Sequence, residues 1–388
     1  MRIAFYAPLK APGHPTPSGD RRMGRLIVAA LEAARHKVVV ASDLRTYCPA
    51  PQPARQAAIR DAALAEVERL TAEMAPPDCW FTYHVYYKAP DWIGPAVAAH
   101  FGVPYIIAEA SYAPKRAEGL WAIGHAAVEQ QIAAADAVIN LTRLDKAMVE
   151  PLLATSSESL YIPPFLDTAP FTAAADDAAA HRASLAAELS LDPARRWLLC
   201  VAMMRSGPKL ASYQALGKVL SAVKADDWTL VVAGDGPERA AVEAALAPLG
   251  GRVVFAGEQP GEALPGLYAA CDLTVWPAVH EAYGMTFLES QAAGTAVVAG
   301  RVRGVPDVVE EGVGGMLAPE GDNAALARLI DLLLEDDAER KELGRLGRNH
   351  VSRRRNLEQA AKAIDGVLQR AQMRRAPAPA PVLQVDEE

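Results

Sequence analysis

Residues 277–300 read PAVHEAYGMTFLESQAAGTAVVAG, a strand end followed by a turn, a short helix and a second strand. Gly284 permits a tight backbone turn. The pattern predicts a helix that begins at Met285 or Thr286 and ends at Gly294, a residue type common after helix ends. The apolar runs on the two sides are LTVWPA (273–278) and AVVAG (296–300). A strand–helix–strand unit of this kind predicts a parallel sheet covered by helices.

The same alternation of short apolar runs and amphipathic stretches continues in both directions. It predicts buried strands over residues 2–7, 37–42, 79–84, 104–109, 137–142, 197–204, 228–234, 253–257, 273–278 and 296–300. The Pro-rich segment YIPPFLDTAPF (161–171) has no period and is predicted as a linker. The predicted fold class is therefore α/β, with two doubly wound parallel-sheet domains in tandem. Ligands are expected at the carboxyl ends of the strands.

Domain boundaries follow from this pattern. We predict a first domain over 1–165, a second over 166–350, a C-terminal helix over 351–375 and a disordered tail over 376–388. Gly344 and Gly347 are candidate breaks in a helical segment that spans 339–373. Packing of the C-terminal helix against the first domain is an option that the pattern leaves open.

The composition bounds the class of protein. Of the 388 residues, 51% are hydrophobic and 22% are charged, values that are ordinary for globular domains. The 39 Lys and Arg residues against 47 Asp and Glu residues give a net charge of −8 at pH 7. Because a general nucleic-acid binder uses an overall positive field, we expect no nucleic-acid partner.

The cysteines and the hydropathy bear on the compartment. Four cysteines lie far apart and form no CxxC pair: Cys48, Cys79, Cys200 and Cys271. A disulfide framework or a cysteine-rich zinc site is therefore not indicated, which fits a reducing cytoplasm. The N-terminal apolar run is too short for a signal peptide, and no stretch approaches the ~18 apolar residues that cross a bilayer. The sequence predicts a soluble, cytoplasmic protein.

The segment 277–300 also carries candidate chemistry. Free amides at the helix start, with the helix dipole behind them, suit an anion such as phosphate. Glu281 before the helix and Glu289 inside it can accept hydrogen bonds from sugar hydroxyls. Together these groups suit a ligand that carries both phosphate and sugar. The alternative, that both glutamates are solvated charges at a helix end, stays open on spacing alone.

In this context the sequence resembles family 4 glycosyltransferases, retaining enzymes of the GT-B fold. The likeness covers roughly 195–325 and includes AGDGPE, VVFAG, LYAACD, AAGTAVVA and GVGGMLAP in register with an E-x7-E element at Glu281 and Glu289. It implies two Rossmann-like domains that face each other across a cleft. The second domain would hold the nucleotide-sugar donor and the first the acceptor.

The resemblance also implies roles for individual residues of the second domain. Glu281 would bind hydroxyls of the donor sugar, and Glu289 the nucleotide ribose. Arg205 and Lys209, in MMRSGPK, would hold the diphosphate, although the family's commoner spacing is five residues rather than four. The other donor-binding positions implied are Glu258 in the base-binding loop and the backbone of Gly284, Met285 and Thr286.

The first domain matches the family more loosely. Gly19 stands where the family has a glycine-rich loop after the first strand, and Asp20 follows it. Many members carry a His at the end of the strand that reads PYIIAEAS here, where this chain offers Glu109 instead. His84, after the preceding strand, is a candidate for that area. Asp20, His84 and Glu109 are therefore predicted as acceptor or sugar contacts, with surface or structural roles as the alternative.

The implied function is transfer of a hexose from a nucleoside-diphosphate-sugar to a hydroxyl of a glycan, lipid-linked or small-molecule acceptor. The expected setting is bacterial cell-envelope or exopolysaccharide synthesis. No D-x-D metal signature, dinucleotide fingerprint or P-loop occurs, so we expect no metal and no cofactor. Two alternatives stay open: a non-catalytic sugar-nucleotide-binding scaffold of a polysaccharide assembly complex, and a sugar-nucleotide epimerase of the same fold.

Two basic clusters raise the question of membrane contact. They comprise Arg353, Arg354 and Arg355 in one group and Arg374 and Arg375 in the other. Such clusters attract anionic lipid headgroups, which would suit a peripheral enzyme at the inner face of the membrane. The alternative is the solvated face of a terminal helix.

Overall fold

The computed structural model of the chain describes residues 1–16 and 18–375. The predicted disordered tail, 376–388, lies outside the described residues. The chain divides into two compact units. Unit 1 comprises Met1–Asn140, Asp145–Tyr161 and the described residues from Ala361 onward, and unit 2 comprises Leu141–Leu144 and Ile162–Ala360.

Strands and helices alternate through the first part of the chain. In order they are β1 (Arg2–Tyr6), α1 (Gly19–Ala33), β2 (Lys37–Ser42), α2 (Pro53–Glu73), β3 (Cys79–Tyr86), α3 (Gly94–Phe101), β4 (Tyr105–Ser111), α4 (Ala122–Ala134), β5 (Ala137–Asn140), α5 (Arg143–Val149) and β6 (Glu158–Tyr161). Short 3-10 turns lie at Pro114–Arg116, Gly119–Trp121 and Glu150–Leu152.

The alternation resumes after two helices. The elements are α6 (Ala169–Asp176), α7 (Ala178–Leu189), β7 (Arg196–Val201), α8 (Pro208–Ala222), β8 (Trp228–Ala233), α9 (Arg239–Leu246), β9 (Val253–Gly257), α10 (Leu264–Ala270), β10 (Leu273–Trp276), α11 (Met285–Ala292), β11 (Ala296–Arg301), α12 (Val305–Val308), β12 (Gly315–Pro319), α13 (Asn323–Glu335), α14 (Asp337–Arg354) and α15 (Leu357–Arg375). A 3-10 segment at Ala247–Arg252 joins α9 to β9.

Each unit is built on a parallel sheet of six strands within the described residues. The order in unit 1 is β2-β1-β3-β4-β5-β6, and the order in unit 2 is β12-β11-β10-β7-β8-β9. Both are doubly wound, because the chain runs outward in two directions from an inner pair of strands. That pair, the topological switch point, is β1 and β3 in unit 1 and β7 and β10 in unit 2. The predicted α/β fold class with two doubly wound parallel sheets is confirmed.

Helices cover both faces of each sheet, and most strands are accordingly apolar along their length. β8, WTLVVA, is buried at every position, and the largest fully buried side chains include Trp80, Trp197 and Trp228. Full burial of a large apolar side chain contributes about 1.5–3 kcal/mol. The prediction missed β6 and β12, and both are edge strands.

The predicted helix breaks at Gly344 and Gly347 are wrong. α14 passes through both glycines, because there the helix lies against other backbone. A Cβ on Gly344 would lie 2.1 Å from the carbonyl oxygen of Gly294, and one on Gly347 would lie 2.9 Å from Cα of Gly314. The helix instead ends at Arg354, and α15 begins at Leu357, where the Asn356 side chain accepts a hydrogen bond from the backbone N–H of Gln359.

Candidate functional site

The candidate donor site lies at the switch point of unit 2, at the carboxyl ends of β7 and β10. Arg205 and Lys209 follow β7, and Glu281 follows β10. Lys209 Nζ lies 2.6 Å from Glu281 Oε2, and the two side chains are 36% and 18% exposed. The structure thus brings together a cation and a carboxylate that are 72 positions apart in sequence, at an edge where parallel sheets bind ligands.

A short network holds the loop that carries Glu281. The backbone N–H of Val279 donates to Ser212 Oγ at 3.0 Å, and the Ser212 hydroxyl donates to the carbonyl of Pro208 at 2.9 Å. Ala278 and His280 have φ values of +61° and +53°, which cost free energy in residues with a Cβ. Such strain persists only where the surroundings enforce it. No sequence pattern predicts this strain or the hydrogen bonds of Ser212.

Helix α11 begins at Met285, as predicted, and Gly284 is the residue before its first turn for a steric reason. Gly284 has φ of +79°, and a Cβ there would lie 2.6 Å from the Phe287 ring. Glycine has no side-chain oxygen, so the first amides of α11 keep their capacity to bind an anion. Met285 is buried and Thr286 is half-buried at this helix start.

Glu289 lies one turn into α11 and is only 2% exposed. Its Oε2 accepts a hydrogen bond from the Tyr268 hydroxyl at 3.0 Å. This glutamate is therefore not a solvated charge at a helix end, the alternative that spacing left open. A buried carboxylate with a hydroxyl donor is a fixed hydrogen-bond acceptor.

Two other predicted donor residues lie apart from this pair. Arg205 and Glu258 are exposed, in the loops after β7 and β9. Among the contacts that the structure describes, neither side chain reaches Lys209 or Glu281. Their predicted roles on the diphosphate and the base remain predictions.

In unit 1, the predicted acceptor residues meet at the switch point between β1 and β3. Asp20 lies in the first turn of α1, His84 in β3 and Glu109 in β4. His84 Nδ1 lies 2.5 Å from Asp20 Oδ1 and 3.9 Å from Glu109 Oε1. Gly19, predicted to approach the donor, is the first residue of α1 and is exposed.

The charges in this cluster shift one another's ionisation. Burial lowers the pKa of His84, but the carboxylates of Glu109 and Asp20 together outweigh it and raise that pKa to about 9. Burial raises the pKa of Glu109 to about 7, with His84 opposing the shift and Asp20 and Asp145 adding to it. The imidazole is therefore protonated at neutral pH.

Sequence reasoning missed Asp145 in this cluster. Asp145 lies in α5 just after β5, and its Oδ1 accepts a hydrogen bond from the Ser111 hydroxyl at 3.0 Å. Its position after a predicted strand was the available signal, because carboxyl ends of parallel strands share one edge of a sheet.

The basic clusters are partly compensated by acidic residues. Arg374 lies 3.2 Å from Glu158, and Arg375 lies 2.9 Å from Asp136. Arg355 is buried, whereas Arg353 and Arg354 are exposed. Membrane contact through these residues stays a prediction. Across the described part of the chain, no helix combines the length and the apolar character needed to cross a membrane.

A known protein family matches the part of the chain that contains the candidate site of unit 2. Residues 206–350 match the family model described as "Glycosyl transferases group 1". The matched range contains Lys209, Glu281 and Glu289 and begins one residue after Arg205. It lies entirely within unit 2.

Curated relatives match only part of the chain. D-inositol 3-phosphate glycosyltransferase of Salinispora tropica is 33% identical over 238 residues, which are 58% of this chain and 48% of that protein. 2-Deoxystreptamine glucosyltransferase of Streptomyces kanamyceticus is 41% identical over 114 residues, 29% of this chain and 30% of that protein. The chain thus spans about half or less of the length of these relatives.

Among solved structures, sucrose-phosphate synthase of Thermosynechococcus elongatus is similar over the whole chain. The TM-score is 0.75 at 21% identity, with 97% of this chain and 100% of that chain covered. At this identity the likeness shows the fold alone. The predicted GT-B fold is confirmed.

Proposed function

We propose that the protein is a retaining glycosyltransferase that moves a sugar from a nucleoside-diphosphate-sugar to a hydroxyl acceptor. The observation that carries the proposal is the Lys209–Glu281 pair beside the start of α11, inside the range that matches the glycosyltransferase model. The names of the two curated relatives support the same activity.

The geometry suits the charge that such a reaction develops. When the bond between the sugar and the diphosphate breaks, negative charge accumulates on the leaving phosphate oxygens. Lys209 and the first amides of α11 are donors that stabilise that charge, and such stabilisation is usually the largest catalytic term. Lys209 exchanges Glu281 for the diphosphate in this scheme, and Glu281 then accepts hydrogen bonds from sugar hydroxyls.

The remaining assignments belong to the same proposal. Glu289 holds the ribose, Arg205 adds a second cation to the diphosphate, and Glu258 lies in the loop for the base. We further propose that the reaction needs no metal ion and serves cell-envelope or exopolysaccharide synthesis. The acceptor is a glycan, a lipid-linked sugar or a small molecule.

The test measures release of nucleoside diphosphate from UDP-, GDP-, ADP- and dTDP-sugars with a mixture of sugar, sugar-phosphate and cyclitol acceptors. Glu281→Gln removes the carboxylate and keeps the shape, so turnover should fall by about 10²–10³, the usual cost of losing one stabilising group. Glu262→Gln, at an exposed position of the same unit, is the matched control and should leave turnover unchanged.

Product analysis separates the alternatives. A glycosidic product that retains the anomeric configuration supports the proposal. An isomerised sugar nucleotide without a glycoside would indicate the epimerase instead. Nucleotide binding without turnover would indicate the scaffold protein.

A further inference from the structure

A second charged cluster lies outside the donor chemistry proposed above. It consists of Asp20, His84, Glu109 and Asp145, and we call it the acidic recess. These residues come from the carboxyl ends of β1, β3, β4 and β5, which are consecutive neighbours in the sheet of unit 1. Such an edge is where doubly wound sheets bind ligands.

The backbone holds two of these side chains in an unusual conformation. His84 and Glu109 have φ values of +63° and +61°, although neither is glycine. Tyr83 pairs with Ala108 and Val85 with Ala110, so His84 and Glu109 occupy matching positions on neighbouring strands. Left-handed backbone is unfavourable at a residue with a Cβ. Paired strain of this kind inside a regular sheet is typical of functional sites.

Within the described structure, one oxygen of each of two carboxylates in the acidic recess has no hydrogen-bond partner. They are Glu109 Oε2 and Asp20 Oδ2, and both atoms are buried. The Tyr83 hydroxyl is the neighbouring donor and lowers the pKa of Glu109. The Glu109 side chain is only 8% exposed. A buried acceptor without its full set of donors costs free energy. A ligand that brings N–H or O–H groups would offset this cost.

The charges favour a cationic ligand over an anionic one. Glu109, Asp20 and Asp145 are the charged groups that act most strongly on His84, so three carboxyl groups surround one imidazole. A phosphate-bearing ligand would place further negative charge beside them. Across the described residues, no group of His, Cys, Asp and Glu has the arrangement of a metal site.

We propose that the acidic recess binds the protonated amine of an amino-substituted cyclitol or sugar ring. The proposal rests on the proposed function, in which that ring is the acceptor. An ammonium group supplies three N–H donors and a positive charge, and hydrogen bonds between ionised partners are about twice as strong as neutral ones. Hydroxyls of the same ring donate to the remaining carboxylate oxygens.

The test is calorimetric titration of the full chain with matched ligands. For an acceptor, 2-deoxystreptamine, which has two amino groups, is compared with myo-inositol and inositol 3-phosphate. For a sugar acceptor, glucosamine is compared with glucose. In one of these pairs the amine should bind at least about tenfold more tightly than its hydroxyl counterpart, the difference between a charged and a neutral hydrogen bond.

Variants of the recess test whether its carboxylates cause the preference for the amine. Glu109→Gln and Asp20→Asn should each abolish most of the tenfold preference, whereas Glu118→Gln, at an exposed position of unit 1, should preserve it. Asp20→Asn carries the test if Glu109→Gln does not fold. No amine preference in either pair, or a preference that both recess variants retain, would overturn the proposal.

The same samples separate this proposal from the proposed function. Each protein is also titrated with UDP, GDP, ADP and dTDP, which are expected to bind in unit 2. Nucleotide binding without an amine preference would overturn the acidic recess alone. An amine preference without nucleotide binding would overturn the donor site and leave the recess as an amine-binding site.

Discussion

The ion pair between Lys209 and Glu281 adds little to the stability of the fold. Their ion pair is partly exposed, with 36% and 18% of the side chains accessible. Pairs exposed to this degree stabilise a fold by about 0–1 kcal/mol. Their proposed role is to place a cation and a hydrogen-bond acceptor at one edge of the sheet, where a single ligand can contact both.

The carboxylates of the acidic recess control the pKa of His84. The pKa of His84 is about 9 in the folded chain, because Glu109 and Asp20 outweigh the effect of burial. Glu109→Gln removes one of these carboxylates, so the pKa of His84 should fall by about 1 or more. NMR titration of the imidazole signals measures this shift directly, with Glu118→Gln as the control.

The raised pKa of His84 also predicts how the stability of the folded chain changes with pH. A histidine whose folded-state pKa is raised contributes stability that is present below its unfolded value of about 6.5 and is lost as the pH rises through about 9. The wild-type chain should therefore lose its stability advantage over His84→Gln between these pH values. An imidazole that titrates near 6.5 in the wild type would contradict the arrangement of the acidic recess.

At the scale of elements, the start of α11 depends on Gly284. Its positive φ and its contact with Phe287 both exclude a side chain. Gly284→Ala should therefore lower the free energy of unfolding by more than the ~1–2 kcal/mol that left-handed backbone alone costs a residue with a Cβ. Denaturant unfolding measures the loss.

Gly321 provides the matched control for this prediction. Its φ is +76°, but a Cβ there would meet no atom within 4 Å. Gly321→Ala thus isolates the backbone cost from the steric cost. Equal losses in the two variants would show that the contact with Phe287 does not define the helix start.

Sequence patterns predicted strands and helices well where burial leaves a recognisable pattern of apolar residues. Most strands were found because strands covered on both faces read as continuous apolar runs. β6 (ESLY) was missed because it is partly polar and half-buried at every position, and β12 (GMLAP) was missed because it is bounded by Gly and Pro. The helix prediction failed at Gly344 and Gly347 because tertiary contact, not local preference, requires glycine there.

Sequence patterns select candidate site residues, whose roles stay predictions, but they do not show how those residues group in space. Motif and resemblance select Glu281 and Lys209, whereas their contact follows from the strand order, which places β7 beside β10. The pairing of His84 with Glu109 depends on register and on positive φ values, which no local pattern shows. Asp145 was missed although its position after a predicted strand was a signal, because that position alone does not show which side chains it meets.

At the scale of the whole molecule, each unit keeps a charged cluster at its own switch point. The last described helix, α15, begins in unit 2 and belongs to unit 1 from Ala361 onward. Its apolar side is buried and comprises Ala360, Ala361, Ile364, Val367, Leu368 and Ala371. Its basic side pairs with acidic residues, as in the contact of Arg370 with Glu158 at 2.6 Å.

Apolar burial rather than charge should hold α15 in place. Leu368 is 1% exposed, so Leu368→Ala should cost about 2–5 kcal/mol of unfolding free energy. Arg370→Ala should cost less than about 1 kcal/mol, since the arginine side chain is 45% exposed. Thermal and denaturant unfolding compare the two variants, and a larger loss for Arg370→Ala would reverse this assignment.

We propose that the switch point of unit 2 binds a nucleoside diphosphate through Lys209. Calorimetric titration with UDP, GDP, ADP and dTDP, without added metal, measures this binding. We expect one nucleotide to bind the wild type and Lys209→Met to weaken that binding by at least tenfold, because a charge-assisted contact to the diphosphate is lost. Lys218→Met, at an exposed position of the same helix, should bind as the wild type does. Binding of no nucleotide would show that unit 2 has no donor site. Equal binding by the Lys209 and Lys218 variants would show that Lys209 does not contact the diphosphate.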